Sequence, residues 1–193
     1  MVAPEVIGLL LAAGAGRRAG GPKALRVDPD GTSWLVRSIR VLIEGGCPHV
    51  IVVLGAAAAD ARALLEQQAA AFLTQLSIVE ATDWADGLGA SLGAGLTAAL
   101  EHSPSAVVVQ LVDLPDVSPA VVRRVLERAE PTALVRAGYG GRPGHPVLIG
   151  HDHLTSVIME VGGDRGAQAY LDRHGVRVVE CGDLATGVDQ DRS

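Results

Sequence analysis

Seven short apolar runs, separated by segments with helical periodicity, constrain the fold of this chain more than any other feature. The runs cover residues 6–11, 50–54, 77–80, 106–112, 133–137, 146–149 and 176–180. They are continuous rather than alternating, which is typical of strands covered on both faces. Helical patterns occur at residues 34–43, 58–71, 90–101, 119–128, 153–161 and 168–174. The alternation predicts an α/β protein, a three-layer α/β/α sandwich around a mostly parallel sheet.

The length of the chain suits one domain. It has 193 residues, of which 48% are hydrophobic, and this is enough for one well-buried core. Because the sequence contains no internal repeat and no long linker, we predict that residues 1–193 form a single domain. Ligands of such sheets bind at the carboxyl ends of the strands. The loops that follow the apolar runs are therefore the candidate functional segments.

Charge and hydropathy exclude several classes of partner. The net charge of −6 argues against nucleic-acid binding through a broad basic surface. No apolar run approaches the ~18 residues of a membrane helix, and the N-terminus lacks the basic region and cleavage pattern of a signal peptide. The two cysteines, Cys47 and Cys181, suit a reducing compartment. We therefore expect a cytoplasmic protein with neither membrane nor nucleic-acid partners.

The first apolar run opens into a loop that is rich in glycine and positive charge. Residues 14–23 read GAGRRAGGPK, with four glycines, two arginines and one lysine. Glycine lets the backbone approach a ligand closely and adopt positive φ angles. A buried strand that leads into such a loop favours a polyanionic ligand, and nucleotide phosphates are the common candidate. A flexible basic turn is the alternative.

Two widespread phosphate-binding motifs fit this loop poorly. The dinucleotide fingerprint G-x-G-x-x-G leads directly into a helix, whereas here the glycine spacing is one residue too long and a proline follows. The P-loop places Gly-Lys-Ser/Thr after its spacer. In this chain Pro22 separates Gly21 from Lys23, and Ala24 supplies no hydroxyl group for a metal ion. The loop thus needs a different precedent.

A second candidate position is Asp113, directly after the apolar run at residues 106–112. An aspartate at the mouth of a buried strand can hold a hard cation, and Pro115 ends the strand and fixes the turn. Taken alone, Asp113 is better explained as a cap of that turn. Joined to a polyanion-binding loop, a carboxylate that holds Mg²⁺ against phosphate oxygens becomes the favoured interpretation.

Two later loops also have an unusual composition. Residues 84–95 form a glycine-rich turn into a helix, where free N–H groups favour anions and Ser91 can donate to a phosphate or ribose. Ordinary helix capping is an equal alternative there, and Trp84 either stacks on a ring or fills the core. Residues 140–146 read GGRPGHP. Arg142 and His145 could contact a phosphorylated acceptor, or the segment is a flexible hairpin turn.

These segments together resemble the nucleotidyltransferase family of the molybdenum-cofactor cytidylyltransferases and guanylyltransferases, the MobA-like NTP transferases. The family's loop, Leu-Ala-(Ala/Gly)-Gly-x-Ser-x-Arg-Met-Gly-x-x-Lys, matches residues 11–23 except at Gly16 and Ala19. Later matches are Gly-x-x-x-Ser-Leu at 87–92, Asp-x-Pro at 113–115, Gly-x-Pro-Gly-His-Pro at 141–146 and Gly-Asp-x-Gly-Ala at 163–167. The resemblance spans residues 6–174.

The resemblance implies a Rossmann-like nucleotidyltransferase sheet and an Mg²⁺-dependent enzyme. Such an enzyme moves a nucleoside monophosphate from a nucleoside triphosphate onto a phosphorylated acceptor and releases pyrophosphate. The Leu-Ala-Ala-Gly and Gly-His-Pro forms favour CTP as the donor and molybdopterin as the acceptor, with a molybdoenzyme as a further partner to consider. Two alternatives stay open. One is a nucleotidyltransferase for a sugar phosphate or another cofactor, and the other is a protein that binds and delivers molybdenum cofactor without catalysis.

The resemblance also assigns residues to four roles. Catalysis is expected of Arg18, Lys23 and Asp113. Nucleotide binding is expected of Leu11, Ala12, Ala13, Gly14, Ala15, Gly16, Lys23, Gly87 and Ser91. Acceptor binding is expected of Arg142, His145 and Asp164. Metal binding is expected of Asp113 and Asp189, although the C-terminal pattern has lost its first acid and its Thr-Pro, so that a solvated tail is the alternative for Asp189.

Overall fold

One seven-stranded sheet runs through the protein. The computed structural model describes residues 5–17, 20–163 and 166–190. The strands are β1 (Val6–Ala12), β2 (His49–Leu54), β3 (Leu76–Glu80), β4 (Ala106–Leu111), β5 (Leu134–Tyr139), β6 (Arg142–Gly150) and β7 (Arg177–Glu180). Their order in the sheet is β3-β2-β1-β4-β6-β5-β7. All neighbouring pairs are parallel except those of β6, which is antiparallel to both β4 and β5.

Six helices cover the two faces of the sheet. They are α1 (Trp34–Gly45), α2 (Ala58–Gln68), α3 (Leu88–Leu100), α4 (Pro119–Leu126), α5 (His151–Glu160) and α6 (Gln168–His174). One apolar core joins the sheet to α1, α2 and α4, and a second joins the opposite face to α3, α5 and α6. Every residue of β1 is buried, because this strand lies between two neighbours and under both helical layers.

Local sequence explains where the elements begin and end. The hydroxyl of Ser33 accepts a hydrogen bond from the Val36 amide at the start of α1, and Gly46 ends that helix in the left-handed conformation at φ 115°. Pro119 stands in the first turn of α4, where its missing N–H has no helical partner to lose. Serine at the N-cap and glycine just after the last turn are residues that helix ends generally prefer.

The predicted three-layer α/β/α fold with a mostly parallel sheet is confirmed. The main correction concerns residues 142–145, which were predicted to lie in a loop and instead form the start of β6. The β5–β6 connection shrinks to Gly140 and Gly141, both at positive φ, since glycine pairs make the tightest hairpin turns. No helix in the described ranges is long and apolar enough to cross a membrane.

Candidate functional site

The carboxyl ends of β1 and β4 and the start of α3 enclose a cavity of about 530 Å³. Its walls come from the segment after β1, the turn before α3 and the end of β4. The lining residues are Leu11, Ala12, Ala13, Gly14, Ala15, Gly16, Arg17, Lys23, Trp84, Ala85, Gly87, Leu88, Ser91, Leu111, Val112 and Asp113. The cavity therefore lies where open α/β sheets bind their ligands.

The glycine-rich loop closes on itself at Gly16. The Gly21 amide donates to the Gly16 carbonyl over 3.1 Å, and Gly16 has φ +57°. A Cβ atom at this position would stand 1.9 Å from the Gly21 carbonyl oxygen, so no side chain fits without a change in the loop. Gly16 is thus required by the local geometry, even though it departs from the serine of the resembled pattern.

Lys23 and Asp113 meet across the cavity. The Lys23 Nζ atom lies 2.6 Å from Asp113 Oδ2, and both side chains are mostly buried. The other carboxylate oxygen, Asp113 Oδ1, is buried and has no hydrogen-bond partner among the described residues. Since a buried carboxylate oxygen without a partner is unfavourable, this atom is well suited to a hard cation.

The start of α3 presents backbone N–H groups to the cavity. Gly87 precedes this helix at φ 118°, and no side chain caps the helix. Gly87, Leu88 and Ser91 all line the cavity, so the uncapped end of a 13-residue helix faces the same space as Lys23. Free amides and the helix dipole favour an anion at this place. The half-buried Trp84 forms the adjoining wall.

The C-terminal segment, residues 184–190, crosses the end of β4; we call it the strap. The Gln190 amide donates to the Asp113 carbonyl over 2.9 Å. The amide and the hydroxyl of Thr186 both donate to Asp116 Oδ2, each over 2.5 Å. Asp189, whose side chain is exposed, directly precedes Gln190 in the chain, and Gln190 is bonded to the backbone of Asp113. Asp189 itself does not line the cavity.

A second polar group lies where β5 and β6 meet the start of α6. This hairpin cluster consists of Arg136, Gly144, His145 and Gln168. Arg136 donates from Nε to the Gly144 carbonyl and from Nη1 to Gln168 Oε1. Burial, together with the Arg136 charge, lowers the pKa of His145 to about 4, although Asp113 opposes this shift. His145 is therefore neutral at pH 7, and its surroundings include both Arg136 and Asp113.

Comparison with known proteins identifies the chain. The profile of the MobA-like NTP transferase domain matches residues 8–178. The chain belongs to the MobA-like NTP transferase family. Its cavity and its Lys23–Asp113 pair are thus features of a family member, and the resemblance stated from the motifs is confirmed.

Three known proteins are similar to this MobA-like chain. A nicotine blue oxidoreductase of Paenarthrobacter nicotinovorans is 37% identical, over 97% of this chain and 93% of its own length. The structure of Rv0371c from Mycobacterium tuberculosis aligns with a TM-score of 0.78 at 27% identity, covering 98% of this chain and 95% of that one; Rv0371c has also been solved as a complex with manganese. A nucleotidyl transferase from Methanothermobacter thermautotroptrophicus shares the fold, with a TM-score of 0.80 at 22% identity over 97% and 92% of the two chains.

The structure brings most of the expected MobA-like site residues together. Every residue expected to bind nucleotide lines the cavity, as does Asp113. Arg142 is exposed at the start of β6 and His145 is partly buried further along that strand; neither lines the cavity. Arg18 and Asp164 lie outside the described residues. Within the described ranges no group of three or more His, Cys, Asp or Glu side chains could hold a metal, so a cation would rely on few protein ligands.

Three residues of this MobA-like chain were missed by the sequence reasoning. Arg136 is buried within β5, and only its unusual position in an apolar run could have drawn attention to it. Asp116 and Thr186 hold the strap, but they are separated by 70 residues and belong to no local pattern. Their pairing becomes visible only when the chain is folded.

Proposed function

We propose that this protein transfers CMP from CTP onto a phosphorylated acceptor, with molybdopterin favoured, and releases pyrophosphate. The observation that carries the proposal is the Lys23–Asp113 pair on the cavity wall, with one carboxylate oxygen left buried and unpartnered within the described residues. A cation next to an available carboxylate is the arrangement that a triphosphate with a divalent metal ion requires.

The reaction calls for charge neutralisation rather than a general base. The acceptor phosphate is already anionic, so attack on the α-phosphate of CTP is opposed mainly by repulsion between two anions. Positioning and fixed positive charge then supply the catalysis. Mg²⁺, held by Asp113 and Asp189, would contribute the Lewis acid that neutralises the phosphate oxygens. Manganese in the Rv0371c complex supports a divalent ion of this kind.

The residues of the cavity divide this work among themselves. The backbone of residues 12–16 lines the space for base and ribose, where the absence of bulky side chains permits close approach. Lys23, together with Arg18, binds the triphosphate, and the three N–H donors of the lysine allow it to keep its contact with Asp113. The uncapped start of α3 and the Ser91 hydroxyl add neutral donors. Neutral His145 contributes hydrogen bonding, not charge, on the acceptor side.

The test is pyrophosphate release from CTP in the presence of Mg²⁺ and molybdopterin. The proposal predicts stoichiometric pyrophosphate and CMP-linked molybdopterin, with GTP a poorer donor. Molybdopterin binding without pyrophosphate release from any nucleotide would contradict the transferase proposal and favour delivery of the cofactor. Release with a sugar phosphate but not with molybdopterin would retain the chemistry and replace the acceptor.

A second candidate is an oxidoreductase, because the 37% identity to a nicotine blue oxidoreductase extends over 97% of this chain. Trp84 on the cavity wall could stack on a planar dye as readily as on a nucleobase. The discriminating assay follows NADH and NADPH consumption with nicotine blue as the acceptor. Reduction of the dye by the wild-type protein, combined with no pyrophosphate release, would support this candidate over the transferase.

A further inference from the structure

A buried arginine, Arg136, lies outside the cavity. Arg136 projects from β5 and is only 7% exposed. Among the described residues no carboxylate lies within ion-pair distance of its guanidinium. Burial lowers the pKa of Arg136, and Asp172 is the acid whose charge partly opposes that shift. Arginine nevertheless stays protonated in proteins, so the structure keeps a buried cation here that no described carboxylate contacts directly.

The partners of Arg136 are neutral and come from two separate segments. Its Nε donates to the Gly144 carbonyl over 3.3 Å, and its Nη1 donates to Gln168 Oε1 over 2.9 Å. Gln168 in turn donates to Asp172 over 2.6 Å, which places that carboxylate one side chain away. Gly144 precedes His145, and Gln168 follows residues 163–167. Arg136 thus ties together the two segments that the resemblance assigns to the acceptor.

A guanidinium group has five N–H donors, and the described partners of Arg136 take up two of them. The Nη2 atom has no hydrogen-bond partner among the described residues, and it is not one of the fully buried atoms that lack a partner. That atom therefore keeps some solvent-accessible area, although Arg136 as a whole is buried. A purely structural tie to a carbonyl and an amide would not need a charge, and a neutral amide could make the same bonds without the several kcal/mol that burying an unpaired ion involves.

We propose that Arg136 is the binding residue for a phosphate monoester of the acceptor. Guanidinium groups bind such oxyanions in a directional, charge-assisted manner. The phosphate would place a negative charge next to Arg136, where no described carboxylate stands, beside the neutral ring of His145. This assignment deepens the proposed function, because it names the residue that holds the acceptor, and it rests on that function for the identity of the acceptor.

The first experiment uses inorganic phosphate as the probe and the wild-type protein as it is. The Nε–H resonance of Arg136 is followed by ¹⁵N NMR during a phosphate titration, and is assigned by its loss in the Arg136→Lys variant. We expect a saturable shift at millimolar phosphate. Arg124, which is paired with Asp183 through both terminal nitrogens, serves as the control and should not move. No shift of Arg136, or an equal shift of Arg124, would overturn the proposal.

The second experiment separates charge from structure by kinetics. Arg136→Gln keeps a hydrogen-bonding side chain and removes the charge, whereas Arg136→Lys keeps the charge. We expect the glutamine variant to raise KM for molybdopterin by about tenfold to a hundredfold, the size of a charged hydrogen bond, with KM for CTP unchanged. Lysine should restore part of the loss. A uniform change in both KM values, or no change in either, would contradict the assignment.

Failure of this inference can be told apart from failure of the proposed function. The phosphate titration needs no nucleotide, no metal and no turnover, so it decides the role of Arg136 even if pyrophosphate is never released. If the glutamine variant does not fold, the titration of the wild-type protein still decides. Conversely, transferase activity with an unmoved Arg136 resonance would retain the proposed function and remove Arg136 from the acceptor site.

Discussion

The cavity and the hairpin cluster are built on opposite principles. The cavity lies at the carboxyl ends of two parallel strands, and its walls are mostly backbone, small side chains and the start of a helix. Lys23, a mostly buried cation on its wall, has a carboxylate partner at 2.6 Å. The hairpin cluster joins an antiparallel pair of strands to the start of α6, and its cation, Arg136, has no carboxylate within ion-pair distance among the described residues. Among the described residues, the cation of the cavity is therefore paired with a carboxylate, and the cation of the hairpin cluster is not.

This difference indicates which ligand each region suits. Backbone amides and glycines that contact phosphates accept the phosphate chain of any nucleotide, because those contacts do not involve the base. A site built around the Arg136 guanidinium can discriminate between acceptors, because a guanidinium group presents its charge and donors in a fixed direction. We interpret the cavity as the part of the protein that binds the nucleotide, and the hairpin cluster as the part that selects the acceptor.

The largest effect should follow from Asp113→Asn, which tests the ion pair between Lys23 and Asp113 in the cavity. Loss of the carboxylate removes the partner of Lys23 and the expected metal ligand, so turnover should fall by at least about a hundredfold. CTP binding should fall much less. Pyrophosphate release and CTP titrations measure the two quantities, with the exposed helical residue Asp60 changed to Asn as the control. Near-normal turnover in Asp113→Asn would remove this residue from the reaction.

The next effect concerns the backbone character of the cavity. Gly16→Ser installs the residue of the resembled family pattern, yet its Cβ would collide with the Gly21 carbonyl at a positive φ. We expect the free energy of unfolding to drop by about 1–3 kcal/mol and CTP affinity to weaken. Gly162→Ser is the control, because that glycine has free space and no positive φ. Unchanged stability and tighter CTP binding in Gly16→Ser would show that the loop is adaptable.

The hairpin cluster should respond to pH in a way that the cavity does not. The pKa of His145 is lowered from 6.5 to about 4 in the folded protein, so the unfolded chain binds the proton first on acidification. The stability from this residue is complete above pH 6.5 and is lost as pH falls toward 4, by about 1–3 kcal/mol. Denaturant unfolding of wild type and His145→Gln at pH 7 and pH 4.5 measures the difference. Parallel losses in both proteins would refute the burial of a neutral ring.

The smallest effect should come from the strap, which is bonded to the segment that follows β4. Thr186→Val removes the hydroxyl bond to Asp116 and should lower the free energy of unfolding by about 0.5–1.5 kcal/mol. If the strap presents Asp189 to the metal ion, Mn²⁺ affinity should also fall a few-fold, as measured by electron paramagnetic resonance. Thr82→Val, which loses a comparable bond to Asp83, should leave Mn²⁺ affinity unchanged. Equal affinities in all three proteins would show that the strap has no part in the site.

The sequence allowed the cavity to be predicted far better than the hairpin cluster. Strands buried on both faces are continuous apolar runs, and phosphate loops depend on glycine at fixed spacing, so β1, β4 and the loop at residues 11–23 could be recognised. The start of β6 could not, because Pro143 and Gly144 disfavour a strand by propensity and only pairing with β5 makes one. Arg136 and the Asp116–Thr186 contact depend on long-range packing and have no local pattern.

Binding of CTP together with a divalent cation in the cavity is the central proposal. The direct measurement is the thermal unfolding midpoint of the wild-type protein with CTP or GTP, each with and without Mg²⁺. We predict that CTP with Mg²⁺ raises the midpoint most, and that chelating the metal removes most of the gain. A ligand at 100 times its Kd stabilises the native state by about 2.7 kcal/mol, so the rise should be readily measured. Equal protection by CTP without Mg²⁺, or no protection by either nucleotide, would contradict the account.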